Sequence, residues 1–224
     1  MTWWKKIWVL VHKDLMAEWR SKEILSSTVF FAVLVLMVFN FSFEGAPDRA
    51  AAGPGILWVA FLFAGLLGMN RLFLTERENG ALEGLMLCPV DRPSLYVAKW
   101  LSLFVILALT EAITLALFIL FFNVPVANGL WSLALVILLG TVGLAALGTS
   151  FAAMAVRTRT RELMLPMLLI PIAVPLLMAA VKCTSAALGG HGLAPVRSWM
   201  QLLLAFDAIF LAVGYATFPS ILEE

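Results

Sequence analysis

The stretch that decides the fold is Leu101 to Phe122, LSLFVILALTEAITLALFILFF, in which Glu111 is the one charged residue of an otherwise apolar or hydroxyl-bearing run. At 1.5 Å per residue this run makes a helix about 33 Å long, enough to cross the ~30 Å hydrocarbon of a bilayer. Five more runs of the same character flank it: Ile24–Phe43, Ile56–Leu74, Leu130–Val156, Leu163–Val181 and Trp199–Phe218. Of the 224 residues, 62% are hydrophobic and 13% charged, against about 25% charged in soluble domains. The sequence therefore predicts an all-α membrane protein with six transmembrane helices and no room for a separate soluble domain. It contains no Gly-rich Lys-Ser/Thr phosphate loop, so nucleotide hydrolysis is expected in another chain.

Lys and Arg are retained on the cytoplasmic side of membrane proteins. Residues 1–23, 71–99 and 157–162 hold twelve of them, and the segments on the other side hold three, Arg49, Lys182 and Arg197. This asymmetry predicts that both termini are cytoplasmic. The apolar run Ile7–Val11 is too short for a cleaved signal peptide. Residues 1–23 read instead as an amphipathic interfacial helix, with Trp4, Trp8, Val11, Leu15 and Trp19 on one face and Lys6, Lys13 and Arg20 on another. Such a helix is either a passive anchor or a connector carrying motion into the first span. The division is thus 1–23 and a six-span domain 24–224. Cys88 and Cys183 fall on opposite sides of the membrane and are not expected to pair.

Individual spans carry further signals. In the fourth, Thr141, Ala145, Thr149 and Ala153 recur at steps of four beside Gly140, Gly143 and Gly148, a seam for close helix packing. In the fifth, Pro166, Pro171 and Pro175 each remove a backbone donor, which predicts a kinked or broken helix with its freed carbonyls satisfied inside protein, either a hinge or re-entrant segment or a merely bent one. Glu111 and Asp207 lie inside apolar runs at a cost of about 2.5–3.5 kcal/mol each and should face the bundle interior. Their readings are a translocation or coupling role, or a hydrogen bond to a neighbour such as Thr110 or Thr114. His191, within "GGHG", could ligate a metal or a haem iron, but it has no zinc spacing or Cys-x-x-Cys-His around it, and a lone exposed histidine is more often without such a role.

Between spans two and three runs "TERENGALEGLMLCPVDRPSLYVAKW", Thr75 to Trp100. Thr75-x-x-Glu78 fits a capping box that starts a short helix. Leu82, Leu85 and Met86 make its apolar stripe, Glu76, Glu83 and Arg77 project elsewhere, Gly80 and Gly84 keep it slender, and Pro89 ends it. Asp91 and Pro93 then start the next helix, and Tyr96, Lys99 and Trp100 mark its headgroup boundary. A short helix presenting carboxylates at the cytoplasmic surface is a handle for a soluble motor, or else a solvated connection.

Those residues resemble the coupling segment of type-2 ATP-binding-cassette export permeases, through Glu76, Arg77, Glu78, Gly80, Leu82, Glu83, Leu85, Leu87, Pro89, Val90 and Lys99. More narrowly, the chain resembles the CcmB family, the haem exporter protein B subunits of cytochrome c maturation. The likeness extends to "KDLMAEWRSKE" (Lys13 to Glu23), "NFSFE" (Asn40 to Glu44) and "GILWVAFLFAGLLGMNRLFLTERENGALEGL" (Gly55 to Leu85). It implies a non-catalytic permease subunit of a bacterial inner-membrane complex, two copies with two of a CcmA-like ATPase that binds ATP and Mg. It further implies a CcmC-like haem-handling protein, a small CcmD-like membrane subunit and a CcmE-like haem chaperone whose release is tied to ATP hydrolysis. Haem is then handled by the complex, and this chain holds no cofactor or metal of its own. On that reading Glu76, Glu78 and Glu83, then Arg77, contact the ATPase in the coupling segment 75–91. A lipid, polysaccharide or drug cargo, or an ion-coupled secondary transporter using Glu111 and Asp207, are the competing readings. A membrane-embedded enzyme would need a cluster of catalytic groups at one depth, which is not evident.

Overall fold

The computed structural model describes residues 3–45, 49–78, 91–124, 129–156, 161–190 and 192–223. It contains seven α-helices and no strand among those residues. Helix α1 (Trp3–Ser21) precedes six helices long and apolar enough to cross a membrane: α2 (Glu23–Ser42), α3 (Arg49–Glu78), α4 (Arg92–Phe122), α5 (Leu130–Val156), α6 (Arg161–Leu188) and α7 (Arg197–Glu223). The expected spans recur with ends shifted by up to nine residues, because each apolar run is also a run of good or tolerated helix formers. Phe30, Phe41, Leu120, Trp131 and Met167 are each more than two-thirds exposed on the outer surface. Such a surface belongs in hydrocarbon rather than water.

Burial separates inner from outer helices. In the apolar window of α3, 72% of residues are buried, against 28% in those of α2 and α7. Helix α5 packs against α3, α4, α6 and α7. The small-residue seam is what admits these neighbours: Gly140 lies under the Trp58 ring of α3, Gly148 under the Met69 thioether, and Gly143 against Leu176, Phe206 and Asp207. Thr141, Ala145, Thr149 and Ala153 are buried along the same helix, as the spacing predicts. Thr149 returns its hydroxyl to the Ala145 carbonyl at 2.8 Å, so it fills the seam without an unsatisfied donor.

Polar side chains join helices elsewhere. The Thr28 and Thr110 hydroxyls meet at 3.1 Å between α2 and α4, and the Trp58 indole N–H donates to the Thr184 hydroxyl at 2.9 Å between α3 and α6. Interhelical bonds of this kind average about 0.6 kcal/mol in membranes.

Two expectations need correction. Helix α6 is continuous through Pro166, Pro171 and Pro175, so the chain there neither breaks nor re-enters. Pro171 and Pro175 are exposed, as is Met167, so the carbonyls those two prolines displace, of Met167 and Pro171, lie toward the outer surface rather than inside protein, while Pro166 is half-buried. Helix α3 runs unbroken to Glu78, so Thr75 lies within it and not at the start of a helix.

A methyl group at Gly140 would overlap the Trp58 ring, whereas one at Gly55 would meet nothing within 4 Å. Gly140→Ala is therefore expected to cost about 1–3 kcal/mol of stability, read as a lower thermal midpoint of the purified protein, with Gly55→Ala leaving that midpoint unchanged.

Candidate functional site

One end of the bundle gathers α1, the start of α2, the end of α3 and the start of α4, and so frames residues 79–90. Glu76, Arg77 and Glu78 form the last turn of α3. Gly80, Leu82, Glu83, Leu85 and Met86 of the expected coupling helix lie outside the described residues, as do Cys88 and His191. What the structure adds is the frame on either side of them.

Asp91 is the N-cap of α4 and Pro93 stands at its second position, as the sequence predicts. The Ser94 hydroxyl donates to the Asp91 carboxylate, and the Ser94 backbone N–H donates to the Asp91 carbonyl at 3.0 Å. Hydrogen bonds from Ser94 and from its own backbone amide, then the Lys6 ammonium 3.8 Å away, hold the Asp91 carboxyl below the usual carboxylate range. Lys6 belongs to α1, so the downstream border of 79–90 is tied to the N-terminal helix. Upstream, Arg71 of α3 pairs with Glu23, the first residue of α2.

Helix α1 is fixed more firmly by a pair the sequence reading missed. Lys99 Nζ donates to Asp14 Oδ2 at 2.8 Å, and both residues are buried, at 2% and 7% exposure. Lys13 approaches the other Asp14 oxygen at 3.2 Å from the exposed side. Lys99 is thus an interior ion-pair partner rather than a headgroup marker. The buried face of α1 is Ile7, Val11 and Asp14, at steps of four and three, with Ala98 of α4 beneath it. The expected stripe is split: Val11 and Leu15 turn toward the protein, while Trp4, Trp8 and Trp19 are 65–75% exposed. An acid spaced in phase with Ile7 and Val11 was the available signal.

The joint between α1 and α2 is one residue. Lys22 takes a left-handed conformation, φ 53°, and the Glu18 carboxylate of α1 accepts the free backbone N–H groups of Leu25 at 2.8 Å and Ile24 at 3.3 Å. A carboxylate at a helix N-terminus satisfies orphan donors and complements the helix dipole. The elbow therefore holds its angle by hydrogen bonds from the side of α1.

The two acids within the spans are both buried, as expected, and both abut α5. Glu111 of α4 accepts a bond from the Thr141 hydroxyl of α5, and its second oxygen has no partner among the described residues. The partner is not Thr110, which meets Thr28, nor Thr114, which bonds the Thr110 carbonyl at 2.7 Å. Asp207 of α7 has neither oxygen paired among the described residues, and one of them lies 2.5 Å from where a Gly143 methyl would sit. Thr141 and Gly143 are two residues apart, so the acids stand at nearly one depth on different sides of α5. Among the described residues, no group of three or more His, Cys, Asp or Glu side chains is placed to hold a metal.

Removing one member of a buried ion pair strands the other at about 3–5 kcal/mol, while replacing both with apolar residues is close to neutral. Asp14→Leu and Lys99→Met are each expected to lower stability by that amount and the double substitution to recover most of it, measured by a double-mutant cycle on unfolding of the purified chain.

A model of the family described as "CcmB protein" matches residues 5–223. "Heme exporter protein B" of Rhodobacter capsulatus is 32% identical over 85% of this chain and 83% of its own length. The protein of that name from Pseudomonas aeruginosa is 31% identical over 83% of each chain, and that from Bradyrhizobium diazoefficiens 29% identical over 92% and 91%. With nearly the whole polypeptide matched by the family model, this multi-pass membrane protein belongs to the CcmB family.

Proposed function

We propose that this chain is the permease subunit of an ATP-binding-cassette haem exporter in cytochrome c maturation, driven by a separate ATPase that docks on residues 75–91. The observation that carries the docking reading is the frame around that segment. Its upstream border is linked to the first span by Arg71 and Glu23, and its downstream border to α1 by Lys6 and Asp91. A force applied to 75–91 therefore reaches α1, α2 and the start of α4 together, through ion pairs and the capped elbow at Lys22. This supports α1 as a connector rather than a passive anchor. The haem cargo rests on the names borne by the relatives, "Heme exporter protein B".

In this reading both termini are cytoplasmic, from the twelve-to-three division of Lys and Arg, and the membrane is a bacterial inner membrane, as the family likeness implies. Glu76, Arg77 and Glu78, with Gly80, Leu82, Glu83, Leu85 and Met86 beyond them, supply the contact with a CcmA-like ATPase, which holds the ATP and Mg. Closure of two such ATPases moves α2 and α3 against α4, on which both pack. The prolines of α6 let that helix bend in response, and Glu111 and Asp207 sit where α4 and α7 slide on α5. The far face then works on haem with CcmC-like, CcmD-like and CcmE-like partners. This chain positions and moves, and the bond-breaking step of ATP belongs to the partner.

The test begins with a strain lacking the gene. Covalent haem in c-type cytochromes, seen by haem staining, should disappear and return with the wild-type gene; normal staining would overturn the haem reading. Glu76→Lys with Glu78→Lys should then reduce copurification of the ATPase and haem staining while membrane insertion stays unchanged. Undiminished copurification would remove the docking claim.

A further inference from the structure

At the end of the bundle away from α1, helices α3 and α6 do not close on each other. Between them lies a groove of about 270 Å³ that opens on the outer surface. Gly55 creates it, since no atom stands within 4 Å of the position its missing side chain would take. Val59 continues the α3 wall, Met178 and Val181 form the α6 wall, and Trp58 contributes its ring. The only donor of that indole is already given to Thr184, so the ring offers the groove no polar atom.

The rim has a different character. Lys182 lines the groove, is exposed and has no ion-pair partner among the described residues. It stands six residues before the end of α6, about 9 Å along the axis. From there its four-carbon stem reaches the headgroup layer while the ammonium avoids hydrocarbon. An apolar slot headed by one ammonium complements an amphiphile with an extended chain and an anionic head. Sites that enclose compact drug-sized molecules begin near 300 Å³, so this slot suits a chain laid lengthwise better than a flat macrocycle. The bilayer supplies such a molecule in excess. The geometry points to a binding site for one anionic phospholipid, an acyl chain lying in the α3–α6 groove and the phosphate against Lys182.

The lipid would tie an inner helix to the proline-bearing one in the leaflet away from α1, whatever the cargo of the complex. The test uses the full chain in nanodiscs of mixed phosphatidylglycerol and phosphatidylcholine, with retained lipid counted by native mass spectrometry. Wild type should retain phosphatidylglycerol preferentially. Lys182→Gln should lower that preference about fivefold, the change given by about 1 kcal/mol of ammonium–phosphate attraction. Gly55→Phe, which enters open space, should lower retention of both lipids with the thermal midpoint unchanged. Val59→Trp serves the same purpose should Gly55→Phe fold poorly. An unchanged preference in Lys182→Gln overturns the headgroup contact, and unchanged retention in the groove-filling variants overturns the site.

Discussion

The close approach of four helices to α5 is the constraint on which the rest depends. In a bilayer no hydrophobic force draws apolar helices together, so association comes from packing contacts and a few interhelical hydrogen bonds. Glycines at 140, 143 and 148 let Trp58, Leu176, Phe206 and Met69 reach the α5 backbone. The alanines and threonines of the seam are buried, and the threonines satisfy their own hydroxyls. The same seam accommodates the two intramembrane acids: Thr141 donates to Glu111, and Gly143 leaves space for Asp207.

Around that core the end of the bundle that frames residues 79–90 is polar and cross-linked, while the opposite end is apolar and partly open. At the framed end, Glu18, Glu23, Arg71, Asp14, Lys99, Lys6 and Asp91 join four helices through bonds that each cross from one element to another. At the other end, helices α3 and α6 meet through the Trp58–Thr184 bond with a groove beside it. On the proposed reading, the cross-linked end would receive the ATPase's displacement and the open end would yield to it.

The spans were legible in the sequence because hydrocarbon imposes a length and a composition that no other setting does. The α5 seam was legible for a similar reason, since only small residues at steps of four allow backbones so near. The orientation of α1 was misjudged because tryptophan is apolar by composition yet prefers an interface, so the aromatic stripe and the buried stripe differ. Lys99 looked like a boundary marker because its partner Asp14 lies 85 residues away, beyond any local pattern. The same distance problem hid Thr141 from Glu111, for which closer threonines were the obvious partners. Two of the three prolines that α6 runs through, Pro171 and Pro175, are placed on an outer face, a property of the packed bundle that local spacing does not hold.

The separation of Asp14 from Lys99 has a consequence for biogenesis. At about 5–20 residues per second of synthesis, an 85-residue gap delays the arrival of Lys99 by about 4–17 s after Asp14 has left the ribosome. During that interval the N-terminal helix holds an acid on the face it will bury, met only by Lys13 from the exposed side. Helix α1 therefore waits at the membrane surface, held by its tryptophans, while α2 and α3 are threaded. Its docking through Lys99 waits until α2 and α3 have been made and α4 has begun.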